Sequence, residues 1–77
     1  MKAKYQHYGS DCLIYDQVIC EDNITATIRT YQSIWFDAEP ETEVKVYLTD
    51  TEARRAFWGI CKKLEKQKYV CVYKEDM

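Results

Sequence analysis

The stretch Glu43–Lys68, EVKVYLTDTEARRAFWGICKKLEKQK, decides the fold because its apolar residues change period in the middle. From Glu43 to Leu48 they alternate, with Val44, Val46 and Leu48 on one side, which is the period of a half-buried strand. From Thr49 onward they recur at three and four. Ala53, Ala56, Phe57, Ile60, Cys61 and Leu64 form one continuous stripe, which predicts an amphipathic helix from about Thr49 to Lys68. Thr49 followed by Glu52 is a capping box. Asp50 and Glu52 suit the positive end of the helix dipole, and Lys62, Lys63, Lys66 and Lys68 suit its negative end. Gly59 is the residue out of place, costing about 1 kcal/mol against Ala in a helix interior. It reads as a point where a neighbouring strand or subunit comes close.

Working outward, the remaining segments read as strands. Lys2–Tyr8 alternates weakly and is followed by the turn signal Gly9-Ser10-Asp11. Cys12–Cys20 is a second strand in which Asp16-Gln17 reads as a bulge or break. Glu21-Asp22-Asn23 is a short hairpin connection. Ile24–Phe36 is the longest strand-like stretch, rich in Ile, Thr, Tyr and Trp. It ends in the acidic loop Asp37-Ala38-Glu39-Pro40-Glu41, where Pro40 cannot donate to a ladder. Tyr69–Tyr73 is a last strand. The expectation is an α+β domain: a small antiparallel sheet of four to five strands, a β-meander, with one amphipathic helix on one face, in the order β-β-β-β-α-β.

Size and composition set bounds on what this fold can do. A chain of 77 residues has room for one domain, expected over 1–77. So short a chain buries only about 60 % of the surface its unfolded form exposes, so a disulfide, a metal or a second subunit would help it. An apolar fraction of 47 % argues against disorder. No segment has the apolar length to span a bilayer, and Met1-Lys2-Ala3-Lys4-Tyr5 has no apolar run behind it to make a signal peptide. The expected location is cytoplasmic, with no membrane partner. In that setting the Asn23-Ile24-Thr25 glycosylation acceptor is a chance match. Cys12, Cys20, Cys61 and Cys71 have no zinc-ligand spacing, and reducing cytosol disfavours disulfides, so they read as buried thiols acting as small apolar side chains.

Catalysis finds no support. His7 is the only histidine and falls on a probable edge strand, where a solvated side chain is expected. There is no glycine-rich phosphate loop, no metal motif and no implied cofactor. The chain is therefore expected not to be an enzyme, and surfaces become the question.

Periodicity puts Ile24, Ala26, Ile28, Ile34 and Phe36 in one phase, with Val44, Val46, Leu48, Val70 and Val72 matching them. This set is the expected lining under Phe57, Ile60 and Leu64. The opposite phase carries Tyr31, Trp35, Tyr47, Tyr69 and Tyr73, joined by Tyr15 if the Asp16 interruption does not shift the register, and one helix leaves it uncovered. Those aromatics have three readings. They are cross-strand pairs that suit a sheet. They are anchors for a protein partner or a homodimer. Or they are a base-stacking platform, which would need more basic neighbours than Arg29 and Lys45 provide.

Charge divides the chain unevenly. Residues 1–50 hold nine acidic against four basic side chains, and residues 51–77 hold seven basic against four acidic. The acidic run Asp37, Glu39, Glu41 and Glu43 is either a solvated connector or a contact for a basic groove, and its spacing does not fit a calcium loop. On the helix, Arg54, Trp58, Lys62 and Lys66 form an outer stripe with Arg55 and Lys63 beside it. This is either a solvated face with long stems packed along the core edge or a patch for phosphates.

The sequence thus points to a non-enzymatic protein-interaction module. It would be a small inhibitor or adaptor, of the compact acidic kind that phages and mobile elements encode. The expected partner is a protein or ribonucleoprotein, met through the aromatic face and the acidic loop. The alternative is a nucleic-acid-binding domain using Arg54, Arg55, Trp58, Lys62 and Lys66.

Overall fold

Alternation delivers four strands in succession, and the change of period delivers the helix. The computed structural model describes residues 1–9, 11–33 and 38–75. The elements are β1 (Lys2–Tyr8), β2 (Leu13–Glu21), β3 (Ile24–Gln32), β4 (Glu41–Val46), α1 (Asp50–Lys66) and β5 (Val70–Glu75). They form a five-stranded sheet in the order β4-β3-β2-β1-β5, with every neighbouring pair antiparallel. The first four strands are a meander. After α1 the chain returns to the far edge and adds β5 beside β1. This is the expected α+β order of elements.

Several local expectations need correction. Asp16 marks neither a bulge nor a break, since β2 pairs with both β1 and β3 in unbroken register through it. The irregularity in the sheet lies between β1 and β5, at Lys4/Tyr5. Glu41 is not a loop residue, and the strand expected from Glu43 starts two residues earlier. Both Glu41 and Glu43 belong to β4, which begins directly after Pro40, the residue that cannot join a ladder. Ile34, Trp35, Phe36 and Asp37, expected in the long strand and the acidic loop, lie outside the described residues.

The β2–β3 connection is tight. Glu21 pairs with Ile24 across Asp22-Asn23, with Asp22 at φ 53°. Asp is among the residues that tolerate such a φ. Asn23 then holds the end of β4, its Nδ2 donating to the Tyr47 carbonyl at 2.7 Å while the Tyr47 amide donates back to the Asn23 carbonyl at 2.8 Å.

The helix starts as expected, with the Glu52 amide donating to Thr49 Oγ1 at 3.2 Å. At its other end the Tyr69 amide donates to the Leu64 carbonyl and the Lys68 amide to the Glu65 carbonyl, a Schellman closure with Lys68 at φ 66°. Glycine is the usual residue there. Conversely, a Cβ added at Gly59 would meet nothing within 4 Å, so no neighbour requires that glycine. The helix therefore carries glycine where alanine fits and lysine where glycine fits. Gly59→Ala and Lys68→Gly are each expected to stabilise the protein by about 1 kcal/mol, a rise in Tm of roughly 4–8 °C for a domain of this size. Thermal unfolding followed by circular dichroism checks both.

The core lies between α1 and the middle of the sheet. Ala53, Phe57, Cys61 and Leu64 pack on Ala3 and Tyr5 of β1 and on Val18 and Cys20 of β2. Burial pushes the Cys20 and Cys61 thiols up, so they remain protonated and pack as small apolar groups. The expectation of four buried thiols holds for these two only, for Cys12 is half-buried and Cys71 is exposed.

A polar staple closes one side of the core. The Tyr5 hydroxyl donates to Glu65 Oε2 at 2.7 Å, and Lys74 Nζ donates to the same oxygen at 2.9 Å, joining β1, α1 and β5. Lys74 first, and Tyr5 with it, hold the Glu65 carboxyl below its ordinary value. Burial, with the Glu65 bond behind it, keeps the Tyr5 hydroxyl protonated well beyond its usual range.

Candidate functional site

Partners directly opposite in an antiparallel pair point to the same face, so the pairing register sorts every strand residue. One row runs Glu41–Arg29–Asp16–Tyr5–Cys71 and lies on the helix side with the core residue Tyr5. The next row runs Thr42–Ile28–Gln17–Lys4–Tyr73 and lies on the opposite, open side. The row beyond it on the open side places Val44, Ala26 and Ile19 together.

This inverts the expected assignment of faces. Ile24, Ala26 and Ile28 do share a face with Val44 and Val46, but α1 packs on the other one. Ile24 is 40 % exposed, Val44 59 %, Val46 70 % and Val70 58 %. The aromatic set is divided. Tyr69 and Tyr47 pack against the core on the helix side, and Tyr31 sits there too, opposite the buried Ile14. Tyr73 and Tyr15 lie on the open side: the Tyr73 hydroxyl accepts from Gln17 Nε2 at 2.9 Å, and Lys4 Nζ stands 4.5 Å from the Tyr15 ring centroid. No uncovered aromatic face exists among the described residues. The uncovered face is mainly aliphatic over β3 and β4 and mixed from β2 to β5, where Tyr15, Gln17, Lys4, Tyr8 and Tyr73 stand.

The helix side has its own feature. The buried apolar strand residues of that side all come from β1 and β2. Over β3 and β4 the same side carries Thr25, Thr27, Arg29, Glu41, Glu43 and Lys45, which with Ile60, Lys63 and Tyr69 line an open cleft of about 560 Å³. At its floor Asp16, 1 % exposed, receives Arg29 in a bidentate pair, Nε to Oδ1 at 2.7 Å and Nη2 to Oδ2 at 3.0 Å. His7 lies alongside, its Nε2 3.5 Å from Asp16 Oδ2 and its ring stacked on Tyr69 with centroids 3.7 Å apart. That Nε2 is buried with no hydrogen bond among the described residues. His7 is therefore enclosed rather than solvated, a correction explained by Tyr69 folding over it from the helix closure. The sequence alone marks neither His7 nor Asp16 as functional. The available signal was a lone aspartate in an otherwise apolar alternation. The cleft's charged groups balance, with Asp16, Glu41 and Glu43 against Arg29, Lys45 and Lys63, so its lining selects neither an anion nor a cation.

The basic stripe remains exposed at Arg54, Arg55, Lys62 and Lys66. Trp58 does not project from it as an anchor. Its ring meets Phe57 edge-on at 5.2 Å and lies under Lys74 Nζ at 5.4 Å, so it packs over the core edge. Of the acidic set, Glu39 is exposed before β4, and Glu41 and Glu43 face the cleft. No helix of the described residues is long and apolar enough to cross a membrane.

No protein-family model and no curated protein matches the chain. Among solved structures it is similar to a Bacteroides fragilis protein determined by a structural-genomics consortium, with a TM-score of 0.72 at 18 % identity over 95 % of this chain. The chain spans about a fifth of that protein's length, the match covering 20 % of it. At this identity the likeness speaks to the fold alone.

Proposed function

We propose that the chain is a non-enzymatic protein-interaction module, a small inhibitor or adaptor, that docks its open sheet face on another protein. The observation carrying this reading is the exposure of Ile24, Val44, Val46 and Val70 on one side of the sheet. Antiparallel sheets that face water normally alternate apolar-in and polar-out. Here the aliphatic phase of β3 and β4 points out and their polar phase points in. Contiguous apolar surface beyond a few hundred Å² on a small domain marks a place where another molecule sits. The acidic contribution shifts with the structure: Glu41 and Glu43 face the cleft on the opposite side, so β3 and β4 present a mainly aliphatic docking surface.

Affinity capture from the source cells with three baits tests this. The native chain and Arg54→Glu/Lys62→Glu are expected to recover the same partner, and Val44→Lys/Val46→Lys to lose it. Recovery undiminished by the valine changes overturns the reading. Loss confined to the Arg54/Lys62 bait transfers the site to the basic helix face and the nucleic-acid alternative.

A further inference from the structure

We propose that the occupant of the open sheet face is a second copy of this chain, packed sheet against sheet as a two-fold sandwich. The inference rests on the docking reading above and names its partner.

The first argument is the balance of apolar side chains. The core enclosed by α1 consists of Phe57, Leu64, Val18 and Tyr5 with two alanines and two cysteines. The open face holds Ile19, Ile24, Ala26, Ile28, Val44 and Val46 on β2–β4 alone. Ile24, Val44 and Val46 are exposed and Ile19, Ala26 and Ile28 half-buried, so a second set of aliphatic side chains stands outside the enclosed core. A domain of this length has little stability to spare, and no disulfide joins its four cysteines. Packing two such faces together gives each copy the second half of a core.

Area is the second argument. Three strands at about 4.8 Å spacing and some 25 Å long present, with side-chain relief, on the order of 600 Å² of accessible surface per copy. Two copies would bury about 1,200 Å², where specific interfaces begin. Aligned sheet packing brings two such faces to about 10 Å and interdigitates their side chains.

Charge placement is the third. Among the open-face residues, the lysines Lys2 and Lys4 both stand on β1, paired opposite Ile19 and Gln17. Tyr15 and Gln17 of β2 share this face and Glu21 ends it opposite Ile24, so overlap centred on β3 and β4 sets aliphatic against aliphatic and leaves Glu21 and both lysines at the rim, an apolar centre within a polar margin. A foreign partner would need an equally broad, flat aliphatic surface. The chain itself has one.

Sedimentation equilibrium on the native chain at tens of micromolar tests the proposal. The expected mass is twice 9.2 kDa. Ile28→Lys and Val46→Lys, each shown folded by circular dichroism, are expected to halve it, and either folded variant suffices. Glu43→Lys, whose side chain faces away from the interface, is expected to keep the dimer. A native chain of monomer mass overturns the proposal. So does a dimer that survives both lysine changes or that dissociates only on Glu43→Lys, since the latter is the mark of β4 pairing edge to edge. A monomer that still loses its captured partner on Val44→Lys/Val46→Lys removes the second copy and leaves the docking reading standing. A monomer that keeps that partner removes both.

Discussion

Arg29→Met is expected to destabilise the protein by about 4 kcal/mol, and Asp16→Leu/Arg29→Met to recover most of that loss. The asymmetry follows from burial. Asp16 has a side chain 2 % exposed, and Arg29 supplies both of its hydrogen bonds. The Asp16 bond is also the main reason the guanidinium holds its proton more firmly than usual, although it is charged at any working pH. Removing the arginine leaves a buried carboxylate with only the His7 ring, 3.5 Å away, beside it, and breaking a buried pair from one side typically costs 3–5 kcal/mol. Removing both charges leaves two apolar side chains and no unpaired buried charge, which is often neutral or better. Asp16→Leu alone should fall between. Arg29 is 36 % exposed along its side chain and can turn its charge toward water, so the loss there should be about 1–2 kcal/mol. Urea unfolding of the native chain and the three variants provides the cycle. An Arg29→Met chain within 1 kcal/mol of native would show that the pair is incidental to the fold.

Phe57→Ala is expected to cost about 4 kcal/mol, close to the whole stability of a domain this small. Phe57 is fully buried and is the largest side chain that α1 inserts into the core. Its neighbours there include Ala3, Ala53, Cys20 and Cys61, too short to collapse into the space it would leave. Loss of cooperative thermal unfolding near room temperature is the expected result. A shift of only a few degrees would mean that α1 holds to the sheet by other means, chiefly the Tyr5–Glu65–Lys74 staple.

Much of this fold is legible in the sequence, because the signals concerned are local. The Thr49 cap, the stripe from Ala53 to Leu64 and the alternation in β1 and β4 each depend on residues within one turn or one strand. Alternation also identifies which residues share a face: Ile24, Ala26 and Ile28 do lie together, with Val44 and Val46 beside them. It does not say which face the helix takes. That choice is made in β1 and β2, where Tyr5, Val18 and Cys20 supply the packing surface. The two-residue turn at Asp22-Asn23 then carries the register into β3 and sends its isoleucines to the other side. Asp16 was misread for a related reason. A carboxylate in an apolar strand reads as an interruption until its partner is known, and Arg29 is thirteen residues away on the next strand. The cleft was beyond reach, since it exists only because α1 covers half of its side of the sheet.

The strand order also dictates a sequence of events. Each strand of the meander pairs with its neighbour in the chain, so these hairpins close short loops at small entropic cost. β5 pairs with β1, and Lys2 meets Glu75 across nearly the whole chain. That closure is expected late, after α1 has docked and brought Lys74 to Glu65, because long-range pairing is rewarded only once the loop entropy has been met. The same seam should be the first to open. The nascent protein would then pass through a four-stranded form in which Tyr5 lacks its β5 neighbours and one edge of β1 stands unpaired, the interval in which it is most vulnerable to proteases and to misplaced strands.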